Sequence, residues 1–381
     1  MKFRKNSVLA VVLAAAMSLG IVFGLAGCAD EKAAAVSYGE ECYEKLEYID
    51  KNLRDRDCRN GENFKLAQRW IAWELIKCGY EEKEILNQPV TFNAYLVKGS
   101  ENVAANGFES DGKTYNKSGR KYVEAEGDTG EYVYGTVTSY NLVLKKQGKS
   151  AKQIIVGAHY DGTGTGDNGS GFALALTTAQ KLINVETEYT VVFVFFTAEE
   201  IGCYGSSQYA ETMTDEEVAD TLYMINLDSL VCGDYTYLYG GVQDNENKVV
   251  TKTEAYDNAI EIAGKLGLEF KSNPWSWDNL SPDDKKSGAE NPSYAAPSTG
   301  DWSDHRGFKK RGITYLYMEA TNWEIPDYTG YGETYLIGML MNTENDYLEY
   351  IEKYFPGRPL EHLTKYSALL YALVTQSGYN A

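Results

Sequence analysis

Residues 190–196 read Thr-Val-Val-Phe-Val-Phe-Phe, six consecutive apolar positions with no alternation. A half-exposed strand alternates polar and apolar residues, so a run of this kind belongs to a strand covered on both faces. It sits in a regular series. A strand over 152–159 (KQIIVGAH) leads to a helix from 168 to about 184, the strand at 189–197, a helix through 205–213 and a strand over 221–228. This alternation predicts an α/β fold, three α/β/α layers around a mostly parallel mixed sheet.

The flanks are less regular. From residue 60, Phe64, Ala67, Trp70, Ile71, Leu75 and Ile76 fall on one side of a helix that Gly79 closes. Residues 99–135 are a polar excursion before the sheet resumes at 132–146. Residues 273–302, with Pro274, Pro282, Pro292 and Pro297, form a second polar stretch, too long for a plain connection. A strand at 313–318 and two helices, near 343–354 and 358–376, close the chain. No internal repeat is evident. With 43% apolar residues in 381, a sizeable core is available, and 38–381 reads as one domain.

The first 27 residues predict export. Lys2, Arg4 and Lys5 precede an apolar stretch from Val8 to Leu25, and small residues lead to Cys28. Leu-Ala-Gly-Cys resembles the lipobox of bacterial lipoproteins, whose cysteine is lipidated and becomes the mature first residue. Residues 1–27 are then a signal peptide, 28–37 the lipidated Cys28 with a short tether, and the body lies outside the cytoplasm at the cell membrane. A retained membrane span is the alternative for a stretch of this length. Residues 1–27 hold three basic and no acidic residues, so their removal takes the formal charge from −19 to −22. Such a surface repels nucleic acid and anionic lipid. The five remaining cysteines, Cys42, Cys58, Cys78, Cys203 and Cys232, have no C-x-x-C spacing, which excludes a zinc knuckle and leaves one or two disulfides open.

Ligands of an open α/β sheet bind beyond the carboxyl ends of its strands. Those ends carry His159, Glu199 with Glu200, and Asp228, and His305 stands just before the 313–318 strand. The turn His-Tyr-Asp-Gly-Thr-Gly-Thr-Gly-Asp-Asn-Gly-Ser-Gly at 159–171 supports two readings. Gly164, Gly166 and Gly169 fit a dinucleotide fingerprint, whereas His159, Asp161 and Asp167 are metal-site chemistry. Asp167 at the helix N-terminus opposes a pyrophosphate, which favours the metal. His362, on a predicted helix without neighbouring carboxylates, reads as structural. Neither G-x-S-x-G nor H-E-x-x-H occurs, which argues against a serine hydrolase and excludes the common helical zinc-protease site.

The segments HYD at 159–161, DNGSG at 167–171, TAEEIGCYGS at 197–206, INLD at 225–228 and SDHRGF at 303–308 occur in an order that resembles co-catalytic zinc aminopeptidases of the secreted bacterial leucine aminopeptidase type. The resemblance spans roughly residues 60–320. It implies two zinc ions bridged by Asp167, one completed by His159 and Asp228, the other by Glu200 and His305, with a water or hydroxide between them. It makes Glu199 the general base and Asp161 the residue that orients His159. The implied substrate is the N-terminus of a peptide; a glutaminyl cyclase, a carboxypeptidase and a non-catalytic binding lipoprotein on the same scaffold are the alternatives. Three positions depart from the pattern. The 159–167 stretch is short, Asp304 stands where some members carry an oxyanion-holding tyrosine, and Cys203 replaces an aliphatic residue. The 273–302 loop is expected to overhang the site, with Trp275, Trp277 and Trp302 as pocket walls or core.

Overall fold

The computed structural model describes residues 29–59, 61–97, 108–115, 132–325, 330 and 332–379. The signal segment, Cys28 and most of the 99–135 excursion lie outside them.

The strands are β1 Ile85–Val97, β2 Phe108–Tyr115, β3 Tyr132–Lys146, β4 Gln153–His159, β5 Thr190–Phe196, β6 Thr221–Leu227, β7 Tyr235–Gly240, β8 Val242–Asp244, β9 Val249–Thr251 and β10 Tyr315–Thr321. Eight of them form one sheet in the order β1-β3-β5-β4-β6-β10-β7, with β2 also on β3. The four central strands, β5, β4, β6 and β10, run parallel. The flanking strands β1, β2, β3 and β7 pair antiparallel, so the sheet is mixed.

Because side chains alternate along a strand, each central strand feeds two cores. Ile154, Val156 and Ala158 of β4, Val191, Phe193 and Phe195 of β5, and Tyr223, Ile225 and Leu227 of β6 join the larger one. Ile155, Val192, Val194, Phe196 and Met224 join the smaller core on the opposite face. Every residue of β4 and β5 is buried, as the unbroken apolar run requires. Burying one such Phe or Val contributes about 1.5–3 kcal/mol.

The larger core is covered by helices α1 Ala29–Asn52, α2 Glu62–Cys78, α3 Gly171–Leu182, α6 Glu254–Leu266 and α10 Arg358–Thr375. On the other face lie α4 Tyr204–Thr212, α5 Asp215–Asp220 and α8 His305–Lys310, with α7 Pro282–Ser287 in the long loop and α9 Leu348–Tyr354 before the last helix. In α1, Tyr38, Cys42, Leu46 and Ile49 recur at helical spacing and are buried. Residues 29–37, expected as a tether, are the beginning of this helix.

Three further expectations change. In α2 the buried side holds Phe64, Ala67, Trp70, Ile71 and Leu75 as predicted, but Ile76 is 41% exposed. Gly79 does end the helix, at φ 123°. The helix expected from 168 begins at Gly171, because Asp167 and Asn168 have non-helical backbones within a wide turn, Gly166–Ser170. The 99–135 excursion contributes β2 to the sheet. Among the described residues no disulfide joins the cysteines, and no helix is long and apolar enough to cross a membrane.

Candidate metal centre

The pleat decides which strand-end side chains meet. His159 follows Ile155 and Gly157 at period two, and Asp228 follows Met224 and Asn226, so both emerge toward the face of α8. There His159 Nε2 lies 3.2 Å from Asp228 Oδ1, 3.3 Å from Asp167 Oδ1 and 3.8 Å from Glu199 Oε2. Ligand atoms of His159, Asp167 and Glu200 all lie within 4.8 Å of one another.

Asp167 arrives on the wide turn, which is fastened from several sides. Asn168 donates to Leu227 O at 2.8 Å and accepts from the N–H groups of Gly171 and Ser229, tying the turn to the end of β6. Asp346 accepts the N–H of Gly166 at 2.6 Å and of Asp167 at 2.9 Å. The fully buried Arg56 donates to Tyr160 O and Gly164 O, each at 2.8 Å. Two glycines permit this packing: a Cβ on Gly164 would fall 1.8 Å from Asp346 Oδ2, and one on Gly166 would fall 2.0 Å from Cys232 Sγ. The glycine-rich turn thus serves the approach of Asp346, not a phosphate.

Asp161 accepts the backbone N–H of Glu199 at 3.2 Å and of Glu200 at 3.4 Å, setting the start of the turn after β5. It faces His159 Nδ1 at 3.6 Å, near enough for charge but long for a hydrogen bond. Asp228 accepts from Ser303 Oγ at 2.6 Å, and Asn226 donates to that hydroxyl at 2.7 Å. Asn342 Nδ2 donates to Asp167 Oδ2 at 3.1 Å.

His305 departs from expectation. Its Nε2 lies 2.9 Å from Gly300 O, and its ring stacks on Tyr315 and Tyr317 at 4.6 and 5.0 Å. The structure does not bring it into the cluster. Burial lowers its pKa to about 4, so it is a neutral ring among tyrosines. The neighbouring Asp304 is fully buried and feels His159 and Asp228 instead; burial pushes its pKa up to about 7.

The electrostatics call for a cation. Burial alone would keep His159 neutral, yet Asp228, Glu199, Asp161 and Asp167 outweigh it and raise its pKa well above the ordinary value. Burial and the Asp228 and Asp304 charges raise Glu199 well above the ordinary carboxylate range, against the pull of His159. One imidazole with several converging carboxylates, no thiolate among them, is the nitrogen and oxygen donor set of a hydrolytic zinc site. The residues present fit such an ion.

A cavity of about 310 Å³ opens onto this cluster. Cys203, Trp302, Arg306, Tyr317, Glu319, Trp323, Met341 and Asn342 also line it. The 273–302 loop supplies only Trp302; Trp275 packs instead beside the tyrosines of β7 and β10. His362 lies apart, buried, with its pKa lowered to about 3 by burial and by Arg358 and Lys365. Glu319, Asn342, Asp346 and Arg56 were not anticipated. For Glu319 a signal existed, since it stands at the end of a parallel strand; its pKa is raised to about 8 by burial and Asp228.

Residues 141–335 match Peptidase family M28. The chain belongs to that family. This M28 chain is 30% identical over 243 residues to the alkaline phosphatase isozyme conversion protein of Escherichia coli, covering 59% of this chain and 64% of that protein. It is 30% identical over 144 residues to aminopeptidase YwaD of Bacillus subtilis, covering 35% and 30%. The matches therefore span less than two thirds of these relatives' length. Among solved structures, a zinc aminopeptidase from Bacillus subtilis superposes with TM-score 0.57 at 17% identity, over 89% of this chain and 95% of that one. An Acidobacteriales glutaminyl cyclase gives 0.53 at 15%, over 90% and 96%. At such identities the likeness concerns the fold: the mixed sheet with helices on both faces is that of the M28 structures.

Proposed function

We propose that this M28 chain is a zinc-dependent exopeptidase, an aminopeptidase that removes N-terminal residues from peptides. The observation that carries it is the convergence of His159, Asp167 and Glu200 within 4.8 Å, with Asp228 on the same imidazole. These residues would hold zinc, and we infer two ions per chain. Zinc, when bound, polarises the scissile carbonyl and the attacking water.

The chain's own residues do the rest. Glu199, whose Oε2 lies 3.8 Å from His159 Nε2, takes the proton from water and passes it to the leaving amine. Asp161, through the backbone of Glu199 and Glu200, holds base and ligand in register. Ser303 and Asn226 fix Asp228. Cys28 is proposed as the lipid attachment site of an exported protein, with the catalytic domain outside the cytoplasm.

The test is zinc per chain by elemental mass spectrometry on the body from Ser37, loaded and dialysed, followed by aminoacyl anilides. Two ions, fewer in Asp167→Asn, with anilide hydrolysis, is the expected result. No zinc would overturn the reading. One observation favours a second reading: His305 stands off the cluster, leaving fewer ligands for a second ion. One ion per chain, with cyclisation of N-terminal glutamine, would favour a glutaminyl cyclase.

A further inference from the structure

Arg306 is the one lysine or arginine among the described residues that line the cavity. It is the second residue of α8, and its place is fixed from two sides. Its N–H donates to Ser303 O at 3.1 Å, and a Cβ on the next residue, Gly307, would fall 2.9 Å from Ser206 O, so α8 lies tight against α4. The neighbouring cations are occupied. Lys309 pairs with Asp301 at 2.7 Å, and Arg311 pairs with Asp215 at 3.7 Å and donates to Ala210 O at 2.6 Å. Arg306 differs: its Nε is buried and meets no acceptor among the described residues.

Its position relative to Glu199 decides what could meet it. The Cys203 thiol donates to Glu199 Oε1 at 3.4 Å, and the Arg306 charge acts on that thiol. The charges that act most on Glu199 itself are those of His159, Asp228, Asp304 and Glu200. Arg306 therefore stands on the Cys203 side of the base, one side chain further out. Glu199 delivers its proton to the leaving amine, so the residue after the scissile bond begins beside it. One extended residue covers about 3.3 Å, and in a dipeptide its far end is a free carboxylate. A guanidinium presents Nε–H and Nη–H as a fork that a carboxylate accepts with both oxygens. A peptide amide there offers one oxygen and no charge, which leaves a buried N–H unpaired.

We propose that Arg306 receives the free α-carboxylate of the residue after the scissile bond, which makes dipeptides the preferred substrates of this site. The proposal rests on the aminopeptidase reading, and two measurements separate their failures. In the first, kcat/KM is compared for leucyl-glycine and leucyl-glycinamide. The wild type should favour the free acid about tenfold, as for a charge-assisted pair that solvent partly screens. Arg306→Gln should bring the ratio close to one, and Arg306→Lys, which keeps the charge but not the fork, should hold part of it. Equal use of acid and amide by the wild type overturns the proposal. So does a variant that loses both substrates equally, as expected if Arg306 only supports α8. Equal use of leucyl-glycine and the α-amide of leucyl-aspartate also overturns it, since an acidic side chain would then be what Arg306 reads. In the second, calorimetric titration of the zinc-loaded protein compares glycyl-glycine with glycyl-glycinamide. If neither dipeptides nor anilides are cleaved, the peptidase reading fails, and this titration still decides: tighter binding of the acid, lost in Arg306→Gln, supports the carboxylate site, and equal binding overturns it.

Discussion

Asp346 carries no catalytic role, yet its replacement should weaken the metal centre as well as the fold. Its carboxylate is fully buried and receives two backbone N–H groups, from Gly166 at 2.6 Å and Asp167 at 2.9 Å. Asp346→Ala strands both. At about 1–3 kcal/mol for each unpaired buried group, the loss is about 2–6 kcal/mol, a large part of a domain's usual 5–15. Asp346→Asn is the better probe. Its amide oxygen serves one N–H and its amide nitrogen meets the other, a loss of about 1–3 kcal/mol. The freed N–H belongs to the turn that aims Asp167, so zinc affinity should fall about ten- to hundredfold, as when a group supporting a ligand is removed. Through linkage, saturating zinc then stabilises the variant less than the wild type, by about 1.4–2.8 kcal/mol. Urea unfolding of metal-free and zinc-loaded protein, with zinc affinity from a competing chelator, reads both quantities. An equal loss in the two forms, with zinc affinity unchanged, would refute the reasoning and leave Asp346 a structural acceptor only.

Glu199→Gln should lower kcat about 10²- to 10⁴-fold while retaining zinc, because Glu200 and not Glu199 belongs to the convergent set; metal loss in this variant, read by elemental analysis, would show the two roles exchanged. His305→Ala should keep metal at the His159 cluster, since the ring is bound to Gly300 and the tyrosines; complete loss of metal would mean that the imidazole turns inward. The metal-free protein should lose stability as pH rises from about 4 to 8. Asp346, Asp304 and Glu319 have folded pKa values raised to about 6, 7 and 8 from ordinary values of 3.8, 3.8 and 4.5. These three groups bind more protons in the folded state across that window, and below pH 6.5 they outweigh the opposite pull of His305 and His362, whose folded values fall to about 4 and 3; the carboxyl stabilisation is lost as pH climbs through each folded value. Thermal unfolding at pH 5 and pH 8 checks the sign, and a Tm higher at pH 8 without metal would contradict it.

The sequence made the central strands and their outward-facing acids readable for one reason: strand ends collect ligands, and His159 and Asp228 stand on the same pleat. The same rule reaches Glu319 once the strand is extended past Met318, where the apolar pattern stops but the pairing with β7 continues to Thr321. β1 escaped notice although Val90, Phe92, Ala94 and Leu96 alternate, because Asn87, Gln88 and Pro89 interrupt the pattern; a proline is tolerated there since β1 lies at the sheet's edge. Asp346 and Asn342 left no trace. They act by meeting a backbone amide and a carboxylate far away in sequence, a relation that composition and periodicity do not encode. The placement of His305 was likewise decided by stacking partners on β10, beyond the reach of a motif.

The turn that carries Asp167 is gripped from both ends of the chain: Asp50 of α1 receives the Thr165 hydroxyl at 2.5 Å and the Leu348 N–H at 2.8 Å, a span of 298 residues, and Asp346 reaches back 180 residues to Gly166. Contacts of such separation form late, after the intervening loops have closed. A growing polypeptide on the ribosome therefore holds every ligand of the His159 cluster long before it can hold them in place. A polypeptide truncated before Asp346 keeps all of those side chains but lacks the acceptor that aims Asp167.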